Sequence, residues 1–554
     1  MRSKAIALLL GALSLLVLGV GCVSTGQPTA TPSIKATAAP GTTPAAAGEE
    51  PKYGGWLIDR TNDDPPHLDP QQVLVHTLHQ YGASQSWSTL LRYDYGSKVG
   101  PLDATVVGDL AESWQQPEPL VFVFKLRQGV KYHDIPPVNG RELTAEDVVY
   151  SYNRQSTKGW QNSEFLAMVD KWEAPDKYTV KATLKKPDAA FLVTLASGYN
   201  KIIAKEVVEE KGDLKQGPVI GTGAFIFEKW EPKAAIHIKK NPNYYHKGKP
   251  YVDGVTTLLM PDDSTAQAAF RTGKLDIFPT QKVTADTTKK TNPEVALNVS
   301  AGSFSGHNLV FNTKKPPFND ERVRDAISLG VDRKQIMDTV YFGEWIYTMG
   351  IALPGSDWQI SQEDLAKSYT RDVAKAKQLL AEAGITGYTG ELTLAYTYST
   401  YSDAGEVLQS QLKDIGFNMT IKNVDSPTYV SKILPKGWDG DIYYGPLGLA
   451  PDATADLMQM YHSTGSRNSS GHNDPKLDKM IEDQAGEMNL DKRKAMLLEI
   501  QRYIQDKNYR TMTGAAKGFT LIQPWLKGRY FSFDSRRNRW WEEAWFDPAK
   551  PRNR

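Results

Sequence analysis

A mixed α/β fold with a partly parallel sheet is predicted from Lys52 onward, on three observations. Residues 391–396 read as a strand, 404–415 as a helix with Val407, Leu408, Leu412 and Ile415 on one face and Gly416 as its stop, and 417–424 as an alternating strand. Short connections make these three a βαβ unit, which implies parallel pairing and a right-handed crossover. Strand-like and helix-like runs recur along the chain with no fixed-period repeat. At 554 residues the chain exceeds the ~250–300 that one core organises, so two or three domains are expected.

The remaining elements follow from local pattern. The run LVFVFKL at 120–126 is rich in strand formers and closes at Gln128-Gly129. Thr144 is placed as the N-cap of a helix with Asp147 three residues on, in the first turn. Residues 178–184 alternate as a half-buried strand does. Thr370 is expected to cap a helix whose Val373, Ala376, Leu379, Leu380 and Ala383 share a face and which stops at Gly384; another helix covers 490–506, before a final β-rich, Trp-rich stretch.

The N-terminus is read as a targeting segment. Arg2 and Lys4 lead into the uncharged run 5–20, which ends at Gly21-Cys22, the layout of a secretory signal. About 16 apolar residues fall short of the ~20 that a membrane-spanning helix needs. Cys22 is the single cysteine, so no internal disulfide can form. The segment 18–22 resembles a bacterial lipobox, with Gly19 where the strongest such boxes carry Leu, and implies cleavage of 1–21 and lipidation of Cys22. In 23–48 only Val23, Gln27, Ile34 and Lys35 are not Ala, Thr, Pro, Ser or Gly, a composition that cannot offset its ordering entropy. As a flexible tether such a stretch reaches about 30 Å. Residues 22–50 are therefore expected to anchor a monomeric globular body at the outer face of the cytoplasmic membrane or in the periplasm.

Composition and motifs narrow the function classes. With 65 Lys+Arg against 64 Asp+Glu there is no electrostatic reason to expect nucleic acid as a partner. One cysteine excludes cysteine-based metal clusters, and no His-Glu-x-x-His, Gly-x-Ser-x-Gly or phosphate-loop pattern occurs, which disfavours a surface hydrolase. His76 and His79 have the spacing of one helix face but no third ligand, so packing or solvated roles are expected. His133-Asp134 is expected to be structural. No catalytic residue, metal or cofactor is assigned.

Ordered segments from end to end carry a resemblance. Gly54-Gly55 and Leu68-Asp69-Pro70, then 110–114 (LAESW), 122–126, 129–134 (GVKYHD) and 143–148 (LTAEDV), then 221–225 (GTGAF) and 241–245 (NPNYY), then 309–312 (LVFN), 316–320 (PPFND), 323–326 (VRDA) and 331–333 (VDR) resemble the family 5 extracellular solute-binding proteins, the peptide/nickel-type receptors of ABC importers. The likeness spans about residues 53–548 and departs locally at 135–141, an insertion where the family has a short turn. It implies a type II periplasmic-binding-protein fold: lobe 1 from 51–90, 206–305 and 515–554, an extra domain at 91–205 on that lobe, and lobe 2 from 306–514. It also implies hinge closure over a solute and delivery to ABC permease subunits.

The same resemblance places the solute against the stretch 445–452, with Gly445, Leu447, Leu449 and Asp452 as lining residues and Tyr443, Tyr444, Trp87 and Trp438 on bordering segments. In peptide-binding members an aspartate there neutralises the peptide ammonium. Matching Gly445 and Asp452 puts Leu449 at that position, and leucine cannot neutralise an ammonium. Either Asp452 or Asp456 takes over the role, or the usual amine anchor is missing. The solute thus stays open between an oligopeptide, an oligosaccharide or other polyol, and a metal chelate or other unusual solute. A peptide-binding sensor or chaperone without transport is the reading from another class.

Overall fold

The computed structural model describes residues 50–73, 75–96, 104–300, 306–353, 356–395, 399–425, 428–447, 452–530, 540–550 and 552. Cys22, the tether and Leu449 lie outside them.

Two groups of sheets organise the described chain. In the first group, a four-stranded sheet runs in the order Trp56–Thr61, Gly254–Leu259, Ala235–Lys240, Phe225–Glu231, its first pair parallel. A three-stranded antiparallel sheet sets Phe519–Ile522 between Ile277–Thr280 and Ala296–Val299. A four-stranded antiparallel sheet, Ala111–Glu118, Val121–Leu126, Thr179–Leu184, Val169–Asp176, carries the helix Ala145–Gln155. Thr144 and Asp147 close the predicted capping box at that helix's start.

The second group is one six-stranded sheet in the order Trp345–Ile346, Arg510–Ala516, His307–Phe311, Ile442–Pro446, Tyr388–Ala395, Phe417–Val424. The βαβ unit is realised as Tyr388–Ala395, the helix Ser399–Asp414 and Phe417–Val424, with the strands parallel from Tyr388↔Phe417 to Ala395↔Val424. The helix Val373–Glu382 carries the expected apolar face, but its cap is Asp372, whose carboxylate accepts from Lys375 N–H at 2.8 Å. Thr370 instead turns its hydroxyl back to the Ala366 carbonyl, so the carboxylate acceptor two residues on takes the cap. The long helix is Leu490–Lys507, closed by Asn508 in the left-handed region.

Buried apolar clusters follow the same division. One runs from Leu68 to Ile220, two more join residues 57–299 to 519–546, and three others draw only on residues 309–512. The first cluster joins Leu68, Trp87, Leu90, Leu214 and Ile220 to the interior of 91–207, so no core boundary falls at 91 or 205. The insertion at 135–141 ends in Arg141, whose guanidinium bridges the Asp147 cap carboxylate at 2.6 Å and Glu206.

The two groups are joined where the chain passes from Val299 to His307 and from Ala516 back to Phe519. The passages run side by side: Val299 pairs with Phe519, Ser300 N–H donates to the Gly518 carbonyl at 2.8 Å, and Gly518 N–H donates to Ser300 Oγ at 2.7 Å. Beside them Lys517 and Lys282, from opposite sides of the junction, converge on Glu344 at 3.0 and 3.9 Å. Further along the junction, Ala189 N–H donates to the Ala485 carbonyl at 2.9 Å, and Gln459 donates to Glu164 at 3.2 Å.

Candidate solute site at the edge of the second sheet

Parallel strands leave their carboxyl ends at one edge of a sheet, and ligands of open α/β sheets settle there. In the six-stranded sheet Tyr388–Ala395 and Ile442–Pro446 run parallel, with Leu394 opposite Tyr444, so Ala395 and Pro446 end at the same edge. His307–Phe311 runs the other way and begins at that edge, pairing His307 with Pro446 and with Gly514. The edge therefore gathers His307, Asn308, Ala395, Gly445, Pro446, Leu447, Thr513 and Gly514, beside the two passages between the groups of sheets.

Alternation along the strands sends side chains to two faces. On one face, His307 stacks on Tyr401 with ring centroids 4.7 Å apart, receives the Tyr341 hydroxyl on Nε2 at 2.7 Å, and faces the Tyr444 hydroxyl with Nδ1 at 3.1 Å. Burial lowers its pKa to about 4, so the ring is neutral at pH 7. A neutral imidazole accepting on Nε2 must donate from Nδ1. The Tyr444 oxygen then accepts from His307 and its hydroxyl donates to Thr513 Oγ1 at 3.2 Å, while Thr513 donates to the His307 carbonyl at 3.2 Å. One arrangement of protons satisfies the whole circuit, which fixes this face as a rigid wall.

On the other face, Tyr443 meets Trp438 edge to face at 5.1 Å and shares a 2.8 Å hydrogen bond with Ser469. The Tyr429 hydroxyl donates to the Pro446 carbonyl at 2.8 Å, and its ring fills the space where a Cβ on Gly445 would stand, 2.7 Å from that oxygen. Asn308 donates to the Gly445 carbonyl at 2.9 Å. Gly350, with φ of +67°, brings the backbone against Leu447; a Cβ there would lie 2.3 Å from the leucine.

Of the residues singled out from the sequence, Gly445 and Leu447 stand at this edge. Tyr443 and Tyr444, 1% and 0% exposed, belong to opposite faces of one strand and present no open surface. Trp438 is buried behind Tyr443. Trp87 is enclosed in the first-group core beside Gly221, because the strands and loops of 68–220 close over it, so it offers no stacking face here. Asp452 caps the helix Ala453–Met460 and is held by Arg493 at 3.0 Å, both side chains under 5% exposed; its charge is already spoken for. Asp456 accepts from Ala352 N–H at 2.7 Å. Among the described residues no group of three or more His, Cys, Asp and Glu is placed to hold a metal. His79 sets Nε2 on the Val73 carbonyl at 2.7 Å and its ring edge on Tyr199, and His133 lies buried between the Gly221 amide and the Gly223 carbonyl, both packing roles.

Sequence reasoning did not pick out His307, Asn308, Tyr341 and Tyr401. They are 34 to 137 positions from their partners, beyond any local pattern, and the one available hint was a histidine opening an otherwise apolar strand.

A two-lobed binding protein is the class this architecture defines: the type II periplasmic-binding-protein fold. The chain belongs to the bacterial extracellular solute-binding proteins, family 5, whose model matches residues 105–468. It is 26% identical over 493 residues to heme-binding protein A of Haemophilus influenzae, covering 83% of this chain and 87% of that one. Identity to di/tripeptide-binding protein 2 of Pseudomonas aeruginosa is 29% over 404 residues, covering 68% and 73%. Among solved structures it is similar to the periplasmic binding protein DppA of Helicobacter pylori in complex with the peptide STSA, with TM-score 0.76, 23% identity and coverage of 89% and 98%. Likeness to AgaA of A. tumefaciens R10 in complex with agropinic acid is comparable, with TM-score 0.75, 26% identity and coverage of 89% and 99%.

Proposed function

We propose that this chain is the membrane-tethered receptor of an ABC importer, a binding protein rather than an enzyme, which takes an oligopeptide or similar polar solute at the edge formed by His307, Gly445–Leu447 and Thr513 and hands it to permease subunits. The observation that carries this reading is the placement of that edge beside the two passages between the sheet groups. Chain segments there change environment when the groups rotate, and a solute that bridges them favours the closed arrangement by its differential affinity. The lobe assignment follows: residues 51–305 with 515–554 as one side, carrying 91–205, and 306–514 as the other. The division of the buried clusters at 300–307 and 516–519 supports it.

Peptides are favoured over oligosaccharides because relatives are named for di- and tripeptides and similar structures hold peptides. Their amine end is bound without a buried carboxylate. Asp452 is neutralised by Arg493, and Leu449 replaces the acid. N-acetylation of a bound peptide should then cost about 1 kcal/mol, against several where a buried carboxylate is left unpaired. Native mass spectrometry of the purified chain, followed by calorimetry with tri-alanine and its N-acetyl form, tests both statements; a co-purified neutral sugar with no peptide binding overturns the peptide reading. Anchoring through Cys22 to the outer face of the cytoplasmic membrane is tested by Cys22→Ser, which should release the protein into soluble fractions with unchanged affinity.

A further inference from the structure

Among the described residues, three buried arginines of the second sheet group have no carboxylate partner, which makes them a controlled comparison. Arg333 makes five hydrogen bonds, to the Met512, Ser328 and Val331 carbonyls and the Ser328 and Thr511 hydroxyls, at 2.5 to 3.4 Å. Arg324 makes three, to the Phe318 and Lys507 carbonyls, at 2.9 to 3.1 Å. Arg510 is 3% exposed and reaches Asn308 Oδ1, Met460 Sδ and the Met460 and Arg467 carbonyls only at 3.4 to 3.5 Å. Its Nε has no acceptor among the described residues. The guanidinium also lies over the Tyr461 ring at 5.1 Å, but a buried guanidinium held by long, neutral contacts and a ring face still lacks a counter-charge.

The position of Arg510 ties it to the solute edge. Its partner Asn308 is the residue that holds the Gly445 carbonyl, and the strand it opens pairs Arg510 with Val310 beneath Tyr443. Arg510 and Arg467 are the cations that act on the Tyr429 and Tyr443 hydroxyls, both pushed up by burial, and neither arginine has a carboxylate within 4 Å among the described residues. The Tyr443 hydroxyl bonds both Ser469 and the Tyr429 hydroxyl, so these hydroxyls satisfy one another and leave the guanidinium without them. The acids that act beside Arg510 on neighbouring rings, Asp456 on Tyr461 and Asp474 and Asp478 on His472, are already engaged by Ala352 N–H, by the Tyr503 and Tyr509 hydroxyls and by Ser463 N–H, which leaves the guanidinium suited to an anion.

We infer that Arg510 is a specificity-determining residue that receives a carboxylate of the bound solute at the Asn308–Gly445 end of the site. This rests on the proposed solute site but not on the solute being a peptide. The solute's anionic end, rather than its amine, then carries recognition.

The test measures selectivity between matched acids and neutral partners by calorimetry, using tri-alanine with tri-alaninamide and cellobionate with cellobiose. In the unaltered protein at least one acid should bind 30-fold or more tighter than its neutral partner. Arg510→Gln should bring that ratio to within threefold, and Arg510→Lys, which keeps a cation, should give an intermediate ratio; if the glutamine variant does not fold, the lysine variant and the unaltered protein decide. Equal binding of both acids and their neutral partners, a ratio that survives in both variants, or failure of every acid to bind overturns the inference. Binding of cellobionate but not tri-alanine would leave Arg510's role standing and remove the peptide reading. Equal binding of tri-alanine and tri-alaninamide, with no preference for cellobionate over cellobiose, would do the reverse.

Discussion

The two groups of sheets bury charge in different proportions. Among the described residues the first buries Asp59, Asp69, Asp109, Asp147, Asp276 and Glu542 against Arg60 and Lys201, and the second buries Arg324, Arg333, Arg493 and Arg510 against Asp452 and Asp456. The carboxylates are met by donors: Asp69 takes Arg154 at 2.6 Å and the Gln71 amide, Asp109 takes Thr89 and the Tyr245 hydroxyl, and Asp276 takes Ile58 N–H, Trp525 Nε1 and Arg552. The arginines, Arg493 aside, are met by carbonyls and hydroxyls rather than by acids. Backbone donors suit an anion and backbone acceptors a cation, so each side solves burial with the atoms its loops expose. The contrast teaches that the cost of burying charge is met by different atoms on the two sides, and that losing a partner is most costly where no second one stands by.

The largest effect should come from leaving one of these charges alone. Arg154→Met strands the Asp69 carboxylate on the first side and Arg493→Met strands Asp452 on the second; each should lose about 3–5 kcal/mol in denaturant unfolding. A loss below 1 kcal/mol from either would break the claim that both pairs are compensated by geometry. Next is Asp59, whose pKa burial raises to about 7 although Arg60 N–H bonds it. A raised carboxyl means the folded state takes up a proton, so its stability is full below about pH 4 and is lost as pH rises through 7. Asp59→Asn should remove that slope and raise stability at pH 8 by about 4 kcal/mol. On the opposite side, His307 is depressed to about 4, so its contribution is full above about pH 6.5 and is lost as pH falls towards 4. His307→Gln should flatten that fall by about 2 kcal/mol, giving the two variants difference curves of opposite sign between pH 4 and 6.5. Curves of the same sign would erase the contrast. The smallest effect is at the junction, where Ser300→Ala removes one acceptor from Gly518 N–H and should cost about 1 kcal/mol or less, read as faster amide exchange at Gly518.

How much of this was written in the sequence depended on range. The βαβ unit, the Thr144–Asp147 capping box and the helix beginning at Leu490 were legible because their determinants sit within a few residues of one another. The Thr370 cap was misread because two oxygen-bearing residues, Thr370 and Asp372, compete for one helix start and only packing decides. Of the residues at the proposed solute edge, Gly445 and Leu447 came from the family resemblance, whereas His307, Asn308 and Arg510 become neighbours only through strand pairing across 137 to 202 positions. Aromatic content misled in the other direction. Tyr443, Tyr444, Trp438 and Trp87 were marked for their rings, and the fold spends those rings on its interior.

The central strand of the Ile277–Thr280, Phe519–Ile522, Ala296–Val299 sheet is drawn from beyond residue 516, whereas every strand of the six-stranded sheet lies within 307–516. During synthesis the first side is therefore made early but waits for its middle strand until nearly the whole chain has emerged. The side inserted between can pair all of its strands before that moment. The half that leaves the ribosome first is finished last, holding two unpaired edges in the interval, and such edges invite pairing with other chains.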